Sequence, residues 1–207
     1  MTKTLSVPWM EYDDIREHAN QFLSNYHPDL TFPVPIEEIA EFQLGLYFAP
    51  VPELMDLYDV DGFLSSDLTT IYIDEFIYLH RPNRSRFTVA HEIGHIVLHP
   101  QAYEAVTPNT PDEWKEYIKS MPDRTRRSME WQSNCFGGLV LAPAAPLREQ
   151  VRQNVLKLQK EEAHKVPESL AWEYIEEAVA RHFGVSSEVV HRRIDFDNLR
   201  VDFEGYF

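Results

Sequence analysis

His91-Glu92-Ile93-Gly94-His95 places two histidines four residues apart with a glutamate directly after the first. On an α-helix, positions i and i+4 lie about 40° apart on one face, so both imidazoles reach toward one point. The spacing therefore suits a shared metal ion. Glu92 sits about 100° round the helix, off the ligand axis but close enough to take a proton from a water attacking beside the metal. The pattern is that of the HExxH metallopeptidases.

A third ligand must come from elsewhere. His99 continues the four-residue series, but eight residues of helix separate it from His91 by about 12 Å, far beyond metal–nitrogen bonds of about 2 Å. It is read instead as a helix C-terminal residue that interacts with the last carbonyls or the helix dipole. Glu130 is the candidate. In Ser128–Pro143, read as a helix, Glu130, Asn134, Gly137 and Leu141 share one face. His91, His95 and Glu130 would form a His-His-Glu set with one coordination position left open, as a catalytic zinc site requires. Asn134, one turn on, is placed to accept a hydrogen bond from the non-ligating nitrogen of a ligand histidine. The ordinary alternative for Glu130 is a surface acid near a helix start.

The elements that must position these groups are legible. Arg84–His99 has no internal proline and is stopped by Pro100. Val89, Ile93, Ile96 and Val97 lie on the face opposite His91, so the helix is buried with one polar stripe turned to a pocket. Glycine in a helix interior costs about 1 kcal/mol, so Gly137 and Gly138 need a reason. Gly137, on the ligand face, offers one by letting the two helices approach closely.

Upstream, Tyr12–Tyr26 reads as a helix with Ile15, Ala19, Phe22 and Leu23 on its apolar side. Pro33 and Pro35 precede a short helix over Ile36–Gln43, and Leu46–Ala49, Gly62–Leu64 and Thr70–Ile73 are strand candidates. Residues 100–127 hold four prolines, an amphipathic stretch around Trp114–Ile118 and the trio Arg124, Arg126 and Arg127. They suggest an insertion near the cleft, with the arginines either capturing substrate or balancing nearby acids. Beyond it, Glu168–Phe183, the turn Gly184-Val185-Ser186 and a helix bearing Val189, Val190 and Ile194 suggest a helix-turn-helix unit. The expected division is a domain over 1–145 and a C-terminal helical unit over 146–207 packed on it.

The composition sets outer bounds. The 207 residues suit one compact core with at most a small appendage. Nineteen basic against thirty-four acidic residues give a net charge of −15, and residues 168–207 alone carry nine acids and four bases. A surface that neutralises phosphates is basic, so direct nucleic-acid binding is not expected, despite Arg192 and Arg193. Met1–Gln21 lacks the apolar stretch of a signal peptide, and no run reaches the roughly 18 apolar residues of a membrane span. Cys135 is the only cysteine and, about 140° from Glu130 on its helix, reads as a core thiol. A cytoplasmic protein is expected.

Arg86–His95 together with Glu130-x-x-x-Asn134-x-Phe136-x-x-Leu139-x-Leu141-x-Pro143 resemble the ImmA/IrrE family of bacterial metallo-endopeptidases. That family usually has alanines after the phenylalanine and a methionine before the proline, where this chain has Gly137, Gly138 and Ala142. The departure touches helix packing, and no catalytic position is lost. The resemblance implies an α+β, zincin-like minimal metallopeptidase, mostly helical, with a small three-stranded sheet against the active-site helix. It implies a gluzincin-like site holding one Zn2+ (or another divalent ion such as Mn2+) on His91, His95 and Glu130, with Glu92 as the base. It also implies that the strand before that helix pairs with the substrate backbone, which points to Ile71, Tyr72 and Ile73 in the stretch Ile71–Asp74; the ordinary alternative is an internal strand with no special role. Tyr72 or a C-terminal histidine or tyrosine is left to stabilise the oxyanion. The substrate it implies is a helix-turn-helix repressor of the Xre type, whose cleavage would release a stress, mobile-element or phage operon. The other classes are a non-cleaving module that binds a repressor or toxin, which has no use for Glu92, and a DNA-binding regulator, which the charge disfavours.

Overall fold

The computed structural model describes residues 7–103, 110–160 and 167–204. The chain opens with α1 (Tyr12–Tyr26), whose first turn is closed by the Glu11 backbone N–H donating to the Asp14 carboxylate at 3.0 Å. α2 (Ile36–Glu38) continues as a π-helical turn over Ile39–Gln43. Then come β1 (Tyr47–Val51), α3 (Leu54–Tyr58), β2 (Gly62–Leu64), β3 (Thr70–Asp74) and α4 (Glu75–His80). Asp74 ends β3 and caps α4 by accepting from the Ile77 N–H at 2.9 Å.

The three strands form one mixed sheet in the order β1-β3-β2. β1 runs parallel to β3, with Phe48 opposite Ile71, and β2 runs antiparallel to it, with Phe63 opposite Tyr72. β3 is therefore the central strand. Its Ile71 and Ile73 are fully buried, and β2 and β3 pack against α5 (Pro82–Leu98). Pro82 occupies the first turn of α5, where its missing N–H costs nothing. The architecture is α+β, dominated by helices.

After α5 come α6 (Pro100–Tyr103), α7 (Pro111–Ser120), α8 (Asp123–Leu141), α9 (Ala144–Lys160), α10 (Glu168–Phe183) and α11 (Ser187–Phe196), then a 3-10 turn over Leu199–Phe203. α8 begins at Asp123, five residues upstream of Ser128, because an acid just past Pro122 favours a first turn and the arginines that follow are good helix formers. Arg124, Arg126 and Arg127 thus belong to the ligand-bearing helix and not to a separate insertion.

α9 starts at Ala144, so the 145/146 division falls in its first turn. One apolar cluster runs through both sides of it, from Ile15, Phe22 and Ile93 through Phe136 to Val151, Ile175, Phe183 and Ile194. α10 ends on Gly184 in the left-handed conformation and α11 starts on the Ser186 cap. Arg193 of α11 points inward. It is 2% exposed, donates to the Ala142 carbonyl at 3.2 Å and to both Asp197 oxygens, and lies over Gly138. Asp197 also accepts from Arg16 and from the Tyr12 hydroxyl of α1. The C-terminal pair is thereby tied to α1 and α8. No helix of the described residues is long and apolar enough to cross a membrane.

Candidate metal centre

α5 and α8 cross at close range, and the geometry of that crossing makes the site. A β-carbon at Gly137 would lie 3.3 Å from the His91 backbone nitrogen, and one at Gly94 would lie 3.1 Å from Ser133 Cα. Two glycines, one on each helix, let the backbones approach so that Glu130 reaches the histidine stripe. Gly94 has a packing role that its sequence position beside the histidines does not reveal.

His91 Nε2 lies 3.1 Å from His95 Nε2 and 3.3 Å from a Glu130 carboxylate oxygen, and His95 Nε2 lies 3.8 Å from the other. Ligands about 2.0 Å from a tetrahedral ion are about 3.3 Å from each other. The three donor atoms thus already stand near the edges of such a tetrahedron, with no side chain turned away. Two imidazoles and a carboxylate also match what zinc takes in catalytic sites. His91, His95 and Glu130 lie close enough to bind one metal ion.

The electrostatics point the same way. Burial opposes charge on His91, but the hydrogen bond and charge of Glu130 outweigh it and hold the imidazole up at about 9. Burial likewise resists ionisation of Glu130, yet His91 and its neighbours bring the carboxyl down to about 2. Burial and then the neighbouring His91 push His95 down to about 3. The cluster favours a single positive charge at its centre. Glu92, 4% exposed, is raised to about 7 chiefly by burial, so it can exchange a proton near neutrality.

Asn134 Oδ1 lies 3.2 Å from His91 Nδ1, whose N–H it accepts. His99 departs from its expected place at the helix-end carbonyls. It is 1% exposed, and its Nδ1 lies 3.1 Å from His95 Nδ1 while its Nε2 lies 2.9 Å from Gln132 Oε1. Gln132, which the sequence does not single out, is fully buried one turn before Phe136. The four-residue step from His95 to His99 was the available signal.

Ile71, Tyr72 and Ile73 do not fit a role in substrate pairing. Both edges of β3 are taken, by Phe48, Ala49 and Pro50 on one side and Leu64, Phe63 and Gly62 on the other. Tyr72 stacks on Phe63 with ring centroids 4.7 Å apart and does not line the cleft. Of the C-terminal candidates for the oxyanion, His191 bonds Glu176 and Tyr174 sits beside Lys157, both away from the cleft; Tyr206 and His164 lie outside the described residues. The cleft, about 590 Å³, is walled instead by Gly62, Phe63, Phe87, Tyr117, Met121 and Met129, with Arg84, Arg126 and Arg127 as its cations. Arg84 is clamped to both Asp61 oxygens at 2.6 and 2.7 Å. Tyr117 donates its hydroxyl to the Ala102 carbonyl at 2.7 Å. Arg124 is not in the lining.

The profile of the IrrE N-terminal-like domain, peptidase M78, matches residues 54–195. The chain belongs to this family. The matched stretch of the IrrE-like domain begins at α3, contains both metal-site helices and ends in α11. No curated protein matches it. Among solved structures, a Mycobacterium tuberculosis transcriptional regulator shares the fold with a TM-score of 0.53 and 13% identity, over 88% of this chain and 55% of that one. The IrrE-like chain thus spans about half the length of that regulator.

Proposed function

We propose that this chain is a zinc-dependent endopeptidase that cuts a helix-turn-helix transcriptional repressor. The observation that carries the peptidase reading is the convergence of His91, His95 and Glu130 with a buried Glu92 beside them in an open cleft. His91, His95 and Glu130 would hold a divalent ion, which would supply Lewis-acid polarisation of a peptide carbonyl and a lowered pKa for water. Glu92, buried beside the histidines, accepts the proton of the attacking water and passes it to the leaving amine. Asn134 orients His91. Arg126 and Arg127, in the cleft wall, are candidates for the cation that a developing oxyanion needs.

The strand offered to substrate is β2. It is an edge strand, no described strand pairs with its outer side, and Gly62 and Phe63 line the cleft beside the histidines. An extended peptide adding there would lay its backbone across the metal centre. A module that only binds a partner has no use for a carboxyl buried at such cost as Glu92. Membership in the IrrE-like peptidase family supports a protein substrate, and the resemblance to the ImmA/IrrE endopeptidases points to a repressor.

Co-expression with a helix-turn-helix repressor from the same genome tests this reading, wild type against Glu92→Gln. The repressor should be cut only with the wild type; an intact repressor in both would sink the assignment for that pair.

A further inference from the structure

Each imidazole of the metal centre has a second ring nitrogen, and the two are held differently. His91 Nδ1 meets an amide oxygen, whereas His95 Nδ1 meets another ring nitrogen, His99 Nδ1, at 3.1 Å. A nitrogen-to-nitrogen contact holds one hydrogen, and neither ring by itself decides which of them carries it. The decision is made farther along. Beyond His99 Nε2 stands the Gln132 amide at 2.9 Å, and the other end of that amide meets Ser128 Oγ at 2.9 Å and the Pro8 carbonyl at 3.3 Å.

A carbonyl only accepts, so Gln132 turns its NH2 toward Pro8 and its Oε1 toward His99. That oxygen also only accepts, so His99 Nε2 carries a hydrogen. His99 is 1% exposed and faces a neutral amide and a neutral ring nitrogen, an environment that keeps an imidazole uncharged. A neutral His99 protonated at Nε2 has a bare Nδ1, which makes His95 Nδ1 the donor. The lone pair of His95 is then left on Nε2, on the side of His91 and Glu130.

We propose that His99 is a positioning residue for the metal centre: it locks His95 in the tautomer whose Nε2 lone pair faces the ion's place beside His91 and Glu130, with the direction of the lock set by Gln132 and the Pro8 carbonyl. The role rests on His91, His95 and Glu130 being ligands. Without the lock, His95 populates the tautomer protonated at Nε2, and that fraction binds no metal.

The test uses the full chain labelled with 15N-histidine and zinc alone as the probe. Long-range imidazole NMR of the metal-free protein reads the tautomers, competition with a chromophoric chelator reads zinc affinity, and thermal unfolding checks that each variant is folded. Wild type should show His95 protonated at Nδ1 only. His99→Leu should lose that signature and bind zinc about 10-fold or more weakly. His99→Asn, whose Oδ1 takes the place of Nδ1, should keep both the signature and an affinity close to wild type. Gln132→Met, which leaves His99 free to change tautomer, should fall between. His99→Leu binding zinc as tightly as wild type overturns the proposal, as does His99→Asn binding as weakly as His99→Leu. Wild type with the Nδ1–H signature but no zinc would instead bring down the metal-centre reading.

Discussion

Gly94→Ala sets two effects against each other at the helix crossing. In an isolated helix, replacing a glycine by alanine stabilises by about 0.8–1.0 kcal/mol. Here the new methyl would stand 3.1 Å from Ser133 Cα, 3.2 Å from a Phe136 ring carbon and 3.3 Å from Ser133 Cβ. Ser133 Cα is backbone and Phe136 is fully buried, so relief requires α8 to move away from α5. Overpacking of this kind costs about 1–3 kcal/mol, which leaves a net loss of about 0–2 kcal/mol. For a chain of this size that is a Tm lower by up to about 8 °C. Zinc binding should suffer more than stability, because the same displacement carries Glu130 away from the histidines and metal-ligand lengths tolerate only about 0.2 Å. Gly137→Ala is the milder companion. Its methyl meets the His91 backbone nitrogen at 3.3 Å and Ala90 atoms at 3.5 and 3.6 Å, so crowding and loss of zinc affinity should both be smaller than in Gly94→Ala but in the same direction. Urea unfolding of the zinc-free protein and chelator competition for zinc measure the two quantities separately. A Gly94→Ala protein stabilised by about 1 kcal/mol with unchanged zinc affinity would refute the view that this glycine sets the spacing of the site.

Three further outcomes follow from the same structure. Alanine at His91, His95 or Glu130 should abolish stoichiometric zinc in metal analysis of the purified protein, and undiminished zinc in Glu130→Ala would remove the third ligand. Asp197→Ala leaves the buried Arg193 guanidinium without its carboxylate and should cost about 3–5 kcal/mol in urea unfolding, where a loss below about 1 kcal/mol would show the pair to be incidental. Cys135 is buried, and burial pushes its thiol up to about 12 against the pull of Arg192. The reactive thiolate is therefore scarce below that pH, and alkylation at pH 8 should be slow in native protein and fast in urea. Equal rates in the two conditions would contradict that environment.

What the sequence discloses depends on how local the deciding interaction is. α1 runs over the same residues, Tyr12–Tyr26, that its apolar spacing marks, because the stripe of Ile15, Ala19, Phe22 and Leu23 is a local pattern. The His91–His95 spacing is local too, and the face shared by Glu130, Asn134 and Gly137 nearly so. Strand order is not. Nothing in Gly62–Leu64 or Thr70–Asp74 says which will lie at an edge, and β3 becomes central only because β1 returns alongside it in parallel. The same limit hides Gln132, whose partner His99 lies 33 residues away on another helix. It also hides Gly94, whose necessity appears only when Ser133 is seen facing it.

The three-residue length of β2 has a consequence for the protein in solution. An open strand edge invites a second copy of the same chain as readily as any other extended segment, and self-association through such edges is how sheets aggregate. Here the edge spans only Gly62–Leu64, too short for a long ladder between copies. Each copy also carries a net charge of −15, so two copies repel as they approach. Among the described residues, brevity and charge thus disfavour this edge as a contact between copies.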